Sequence, residues 1–294
     1  MTETVTGFSK RFFVQLGSLL ALHSNWGPEV LKGFCNPVLS CHSCPLSWFA
    51  CPIGVFIHFS GYHVFPFFAL GTVLLLGTLF GRLFCGWVCP FGFLQDLLYK
   101  IPSKKIEIPH WTTNIKYLVL LLGVFLLPYY LGEMTPFSFC RICPAAALQV
   151  TAPGLIQGWA HPEGAVFWAK AALLLFVLMF AVLHSRFFCK VICPIGALLA
   201  PLNMLSLWVV KPATSHCVIC RKCCQTCPTD VKPTERILKG IPPSRTPDCV
   251  LCHECQTVCP VPDKPGKKKN PIEKRKRPGK APSHEGAKGP PLAT

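Results

Sequence analysis

"RLFCGWVCPFGFLQDLL" (Arg82–Leu98) returns 104 residues later as "RFFCKVICPIGALLAPL" (Arg186–Leu202). Eight of the 17 positions are identical, among them both cysteines, the proline and the following glycine. Each copy closes a long apolar run, Val64–Phe84 for the first and Ala165–His184 for the second. A second pair of elements repeats at an offset of 99: "PVLSCHSCPLS" (Pro37–Ser47) and "PFSFCRICPAA" (Pro136–Ala146). The chain therefore reads as one unit used twice, over about 8–105 and 112–205. The unit is a span, a C-x2-C-P element, a second span and a C-x3-C-P element. Two spans per unit make a parallel repeat, with its axis along the membrane normal.

Composition agrees with a membrane class. Of 294 residues, 51% are hydrophobic and 14% charged, and the mean hydropathy is +0.43, which excludes an ordinary soluble domain. Val64–Phe84, Lys116–Leu131 and Ala165–His184 approach the roughly 20 residues that span a bilayer. A shorter run, Phe12–Trp26, carries Gln15 and Ser18. No small-residue cleavage site follows it, so it is read as a retained first span. "IGALLAPLNMLSLWVV" (Ile195–Val210), broken by Pro201 and Asn203, is read as interfacial or packed at the membrane surface rather than as a full span. Lys100, Lys104 and Lys105, with Arg82 and Lys116 at the edges, share one side with Arg186, Lys190 and a basic tail; the opposite loops hold only Lys32 and Arg141. The asymmetry predicts four transmembrane helices with both termini cytoplasmic, and the expected location is a bacterial-type inner membrane.

The same bundle is followed by "CVICRKCCQTCP" (Cys217–Pro228) and "CVLCHECQTVCP" (Cys249–Pro260), each C-x2-C-x2-C-x3-C-P. In the bacterial two-cluster arrangement the fourth cysteine of each run ligates the other cluster. One [4Fe–4S] cluster then takes Cys217, Cys220, Cys223 and Cys259, and the other takes Cys249, Cys252, Cys255 and Cys227. Triplets argue against zinc ribbons, which favour separated pairs. The expected fold is an all-α membrane bundle over 1–210, a small α+β two-cluster ferredoxin module over 211–262 and a disordered tail over 263–294. Cys224 lies outside the pattern.

The repeat axis should bring Cys85 and Cys89 to Cys189 and Cys193 on the cytoplasmic side, and Cys41 and Cys44 to Cys140 and Cys143 outside. Proline suits the first helical position, so each Cys-Pro sets a thiol at a helix N-terminus, where the dipole favours thiolate. The inner four remain open between packing cysteines, a metal or cluster site, and redox-active thiols. The outer four are disulfides or metal pairs, with disulfides favoured in an oxidising compartment. Cys35 and Cys51 have no repeat partner. A span of about 30 Å should separate the two levels electronically, unless a quinone or a partner's cofactor bridges them.

Haem is disfavoured, because only His184 and His23 lie near spans. Lys170, Trp87, His63 and Trp168 are candidate quinone contacts; Lys170 is equally able to snorkel. The tail stretch Lys264–Lys280, Lys- and Pro-rich without aromatics, fits a solvated segment drawn to anionic lipid rather than to nucleic acid.

Paired "FCGWVCPFGFLQDL" and "FCKVICPIGALL" elements at span ends, followed by two C-x2-C-x2-C-x3-C-P runs, resemble the NapH-type membrane polyferredoxins, a group that includes NosR, MauN and CcoG proteins. The resemblance covers about residues 8–260. It implies a quinol-linked respiratory component that passes electrons between the quinone pool and a partner redox protein, ferredoxin-like or cytochrome-like. Such a chain is an electron-transfer subunit of an oxidoreductase rather than a stand-alone enzyme. The alternative, on the pattern of CcoG-like proteins, is a maturation factor that reduces a metal or disulfide for another membrane complex.

Overall fold

A computed structural model describes residues 10–24, 33–41, 43–44, 46–103, 105–106, 108–158, 164–211 and 217–260. Regular structure among them is helical, apart from one isolated bridge between Cys35 and Ala50. The membrane half comprises α1 (Lys10–Leu22), α2 (Pro52–Gly61), α3 (Phe67–Phe80), α4 (Leu83–Trp87), α5 (Pro90–Leu98), α6 (His110–Leu131), α7 (Phe139–Ile142), α8 (Pro144–Ala146 running on through Ala147–Thr151 and Ala152–Gln157), α9 (Ala165–Leu183), α10 (Phe187–Val191) and α11 (Pro194–Leu205).

Two of these are long and apolar enough to cross a membrane: α6, with mean hydropathy 1.6, and α9, with 2.5. Only 17% and 11% of their apolar windows are buried. A core helix of a soluble protein would be mostly covered; here Leu118, Leu121, Leu175 and Met179 face outward. That surface suits lipid and makes this a membrane-associated chain. Residues Leu120–Leu126 of α6 and Ala147–Thr151 of α8 wind as π-helix, each just ahead of a proline, Pro128 and Pro153. The wider turn accommodates a residue that lacks an N–H and crowds the carbonyl four back.

Two expectations need revision, and a third segment gains detail. The run Val64–Phe84 is not one helix. It breaks at Gly81, whose φ is +58°, into α3 and α4, and the 14 residues of α3 rise about 21 Å. The stretch Ile195–Val210 forms α11, largely buried over Pro194–Ala200 and packed on α3 and α6, before its mostly exposed end at Met204–Trp208. Asn203 binds the backbone there instead of breaking the helix. The terminal unit holds α12 (Lys222–Gln225), α13 (Pro233–Leu238) and α14 (Glu254–Thr257), with no strand among the described residues. Each cysteine run spends its length in tight turns, which leaves no extended stretch to pair. Lys32, Lys104, Trp26 and the tail 263–294 lie outside the described residues.

The terminal unit is clamped to one end of the bundle. Arg82 Nη1 donates to Pro247 O (2.5 Å), Trp87 Nε1 to Leu251 O (3.0 Å), and Asn203 Nδ2 to Ser244 O, Thr246 O and Cys249 O (2.9, 2.7 and 3.1 Å). Lys116, with 1% of its side chain exposed, pairs with Asp248 at 2.7 Å; Lys190 reaches Asp230 at 3.1 Å. At the centre of the joint a Cβ added to Gly86 would lie 2.2 Å from Val250 O, a backbone atom held on both sides. Gly86→Ala is therefore expected to loosen the joint by about 1–3 kcal/mol, the usual cost of overpacking. Limited proteolysis of the terminal unit should accelerate; an unchanged rate would show that the contact yields.

Candidate functional site

Four thiols meet where the two repeats face each other. Cys85, Cys89, Cys189 and Cys193, each 6% exposed, line one small cavity with Arg82, Phe91 and Ile195. The surroundings are reciprocal. Arg82 Nη2 donates to Cys189 O (3.2 Å), and Arg186 Nη1 donates to Cys85 O (2.6 Å). A Cβ on Gly92 would meet Cys85 O at 3.1 Å, and one on Gly196 would meet Cys189 O at 3.0 Å. The repeat in the sequence is thus a pseudo-two-fold in space, and each arginine crosses to the other copy. Cys89 and Cys193 precede helices that open with Pro90 and Pro194, and the Gly92 and Gly196 N–H groups turn back to their sulfurs. Gln95 Nε2 also reaches Cys189 Sγ at 3.1 Å. Arg82 Nε is buried without a hydrogen-bond partner, beside the thiols. An orphaned cationic donor and four sulfurs suit an anionic, sulfur-rich group.

The two terminal runs share one backbone winding. Ile219 and Arg221 flank Cys220 with φ of +51° and +54°; Leu251 and His253 flank Cys252 with +51° and +62°. Non-glycine residues rarely adopt this conformation, and isoleucine least of all. Its recurrence at matching positions marks a strained turn that serves the cysteines. Cys227, Cys249, Cys252 and Cys255 line a common cavity, with Cys227 contributed by the other run. Burial, then the neighbouring Cys252, pushes the Cys249 thiol up to about 12. Cys255 rises in the same direction from burial and then from Cys252, Cys249 and Cys227. In the first set Cys220 and Cys223 are neighbours, while Cys217 and Cys259 are half-buried. Cys224 is occupied with Thr234 Oγ1 at 3.2 Å.

On the end of the bundle remote from the terminal unit, here called outer, a cavity of about 620 Å³ is lined by Cys41, Cys140 and Cys143. Its fourth thiol is Cys51; Cys44, buried nearby, is not in the lining. The cavity lining thus includes Cys51 and not Cys44, although Cys44 too precedes a proline in the sequence. Cys51-Pro52 opens α2 as Cys143-Pro144 opens α8. The sequence carried that signal, because "CPIG" stands both at 51–54 and at 193–196. The 30 Å separation also requires revision. The loop bearing Pro37 and Leu39 dips into the bundle, and Leu39 lines both the outer and the inner cavity. Helix α1 runs between the two ends: Arg11 Nε donates to Gly86 O, and Leu22 O accepts from Trp48 N. Non-helical backbone is tolerated at such depth because protein covers it.

The remaining candidates resolve individually. Lys170 lines the outer cavity and donates to Thr151 Oγ1 at 3.2 Å. Trp87 serves the joint, Trp168 is 65% exposed, and His63 packs edge-on against Tyr129. His184 Nδ1 meets Ile106 O and His23 Nδ1 meets Leu19 O, so neither faces the other. Sequence reading gave no weight to Asp96, which pairs with Arg186 at 2.6 Å and with Arg11. Nor did it single out the buried Lys116–Asp248 pair. Buried charges carry no periodic signal, and their partners are far apart in sequence.

The family described as 4Fe-4S binding domain matches this chain twice, over residues 62–109 and 166–212, the two membrane repeats that carry the inner cysteines. The uncharacterized protein MJ0750 of Methanocaldococcus jannaschii is 30% identical over 178 residues, 57% of this chain and 67% of its own. The methylamine utilization ferredoxin-type protein MauN of Methylobacillus flagellatus is 27% identical, over 58% of this chain and 57% of its own. The regulatory protein NosR of Pseudomonas aeruginosa is 30% identical, over 54% of this chain but 21% of its own. The chain thus spans between about a fifth and two thirds of the length of these relatives. No solved structure matches it. With the repeated 4Fe-4S match, the thiol sets and the apolar helices in one chain, this protein belongs to the NapH/NosR family of membrane-associated, ferredoxin-type iron–sulfur electron-transport proteins.

Proposed function

We propose that this chain relays single electrons between the quinone pool and a partner redox protein, as a subunit of a respiratory oxidoreductase. Two [4Fe–4S] clusters are assigned to Cys217, Cys220, Cys223 and Cys259, and to Cys249, Cys252, Cys255 and Cys227. A further cluster is assigned to Cys85, Cys89, Cys189 and Cys193. Such a cluster, when bound, takes up and gives back one electron with no bond made or broken. The observation that carries the reading is the joint at Gly86, where the first inner element and the second terminal run touch backbone to backbone. The chain's own residues fix the spacing: Trp87 and Asn203 hold the 249–252 backbone, and Arg82 links Pro247 to Cys189. Arg82 and Arg186, 1% and 0% exposed, place positive charge where the thiolates gather.

The same reading takes α1, α3, α6 and α9 as four crossings with both termini on the terminal unit's side, supported by the lysine asymmetry of the loops. Iron and sulfide analysis of anaerobically purified protein tests the cluster assignment. Cys252→Ser is expected to remove about four irons per chain. Unchanged iron, or zinc in its place, would overturn the assignment. Rapid reduction of the remaining clusters by a quinol analogue tests the quinone link, and clusters that stay oxidised would remove it.

A further inference from the structure

We propose that Cys41, Cys51, Cys140 and Cys143 hold an additional iron–sulfur cluster of the [4Fe–4S] class, next in line to the inner thiols across Leu39. The four sulfurs come from separate points of both repeats and line one cavity of about 620 Å³. The construction matches that of the inner set. Cys51 and Cys143 stand immediately before helices that begin with proline, as Cys89 and Cys193 do. The Ile53 and Gly54 N–H groups turn back to Cys51, and those of Ala145 and Ala146 to Cys143. N–H groups aimed at sulfur stabilise an anionic centre without any movement of the chain. Cys51 and Cys143 are each 6% exposed, and Phe139, Ile53 and Leu39 form apolar walls around them.

Charge fits as well. Four thiolates around iron and sulfide carry net negative charge, and Lys170, which lines the cavity, faces Cys41, Cys140 and Cys143. This gives an intramembrane lysine an electrostatic task. Of the other ionisable side chains that line it, His58 and Glu133 pair with each other and Arg141 adds a second positive charge but no ligand atom, which leaves the donor set all sulfur. Disulfides would instead pair the sulfurs two by two, although each Cys-Pro element offers N–H groups to a charged sulfur.

Adjacency follows from Leu39. Its backbone hydrogen-bonds Cys89 while its side chain lines both cavities, and Cys41 is two residues on. The adjacency, though not the outer site itself, rests on the reading of the inner thiols as cluster ligands.

The experiment uses the full chain, purified anaerobically in detergent. Cys51→Ser is expected to lose about four irons, and Cys44→Ser none. Cys89→Ser separates the two sites. If it loses iron and Cys51→Ser does not, the outer assignment fails and the inner one stands; if neither loses iron, both fail. Alkylation of the acid-denatured, unreduced wild-type chain, read by mass spectrometry, decides the matter should a variant not fold. Cluster-held thiols all alkylate, whereas Cys41, Cys51, Cys140 and Cys143 found in disulfides would overturn the proposal. In dithionite-reduced wild-type protein, the inner cluster's paramagnetic signal should be broadened by its outer neighbour and sharpen in Cys51→Ser. Identical line shapes would remove the adjacency.

Discussion

Arg186→Met is expected to destabilise the folded chain by about 3–5 kcal/mol, because it leaves a charge in the interior without its partner. Arg186 is 0% exposed and uses its guanidinium completely: Nε and Nη2 grip the two oxygens of Asp96 at 2.9 and 2.6 Å, and Nη1 holds Cys85 O. Methionine fills much of the volume and supplies none of this. Asp96 would keep Arg11 and Gln15 but lose its two-pronged partner. Adding Asp96→Asn to the variant removes the carboxylate's charge but leaves Arg11 with Glu254 alone, so the double variant should recover little of the loss. Denaturant unfolding of the two single variants and the double variant measures the coupling. A single variant within about 1 kcal/mol of wild type would show that water reaches Asp96.

The same group sets an acid limit. Burial alone would raise the Asp96 carboxyl, but the Arg186 charge and hydrogen bond, with Arg11 behind them, hold it below the ordinary value. A carboxyl lowered in the folded state contributes stability that is complete above its unfolded value of about 3.9. That stability is lost as the pH falls through the folded value. Wild-type protein should therefore weaken below about pH 4, and Arg186→Met should show a flatter profile there.

What the sequence disclosed was whatever repeats. The offset of 104 residues gave the pairing of Cys85 and Cys89 with Cys189 and Cys193, because matching elements at the ends of matching helices must meet about a symmetry axis. The doubled C-x2-C-x2-C triplets likewise pointed to the grouping of Cys227 with Cys249, Cys252 and Cys255. Harder to read was whatever breaks the repeat. Cys51 is ten residues from Cys41 while Cys143 is three from Cys140, so the C-x2-C spacing could not point to Cys51 as part of the outer cavity's wall. The depth of Leu39 was illegible for a different reason: a polar-edged loop looks extramembranous until tertiary packing covers it. Asn203 misled by propensity, since a poor helix former at a buried crossing reads as a break when it is a clamp on Ser244, Thr246 and Cys249.

The double variant Cys85→Ser with Cys189→Ser is expected to have the largest functional effect of all, because the inner thiols occupy the one position that touches both neighbours. On one side Leu39 connects them to the outer cavity; on the other, Gly86 lies under Val250, with Cys252 Cα 3.5 Å from where a Cβ would stand. Electron transfer falls off steeply with distance, so removing a middle site costs far more than the loss of one carrier in several. The serine pair keeps the volume and the crossed arginines, and the terminal unit's clamp uses other atoms, so the terminal clusters should remain. Iron should fall by about four per chain. Reduction of the terminal clusters from the membrane side should fall by orders of magnitude, while dithionite, acting from water, still reduces them. Stopped-flow absorbance with a quinol analogue and with dithionite separates the two routes. Should quinol reduce the terminal clusters of this variant at the wild-type rate, electrons would be entering at the terminal unit itself, and the inner cysteines would be packing residues.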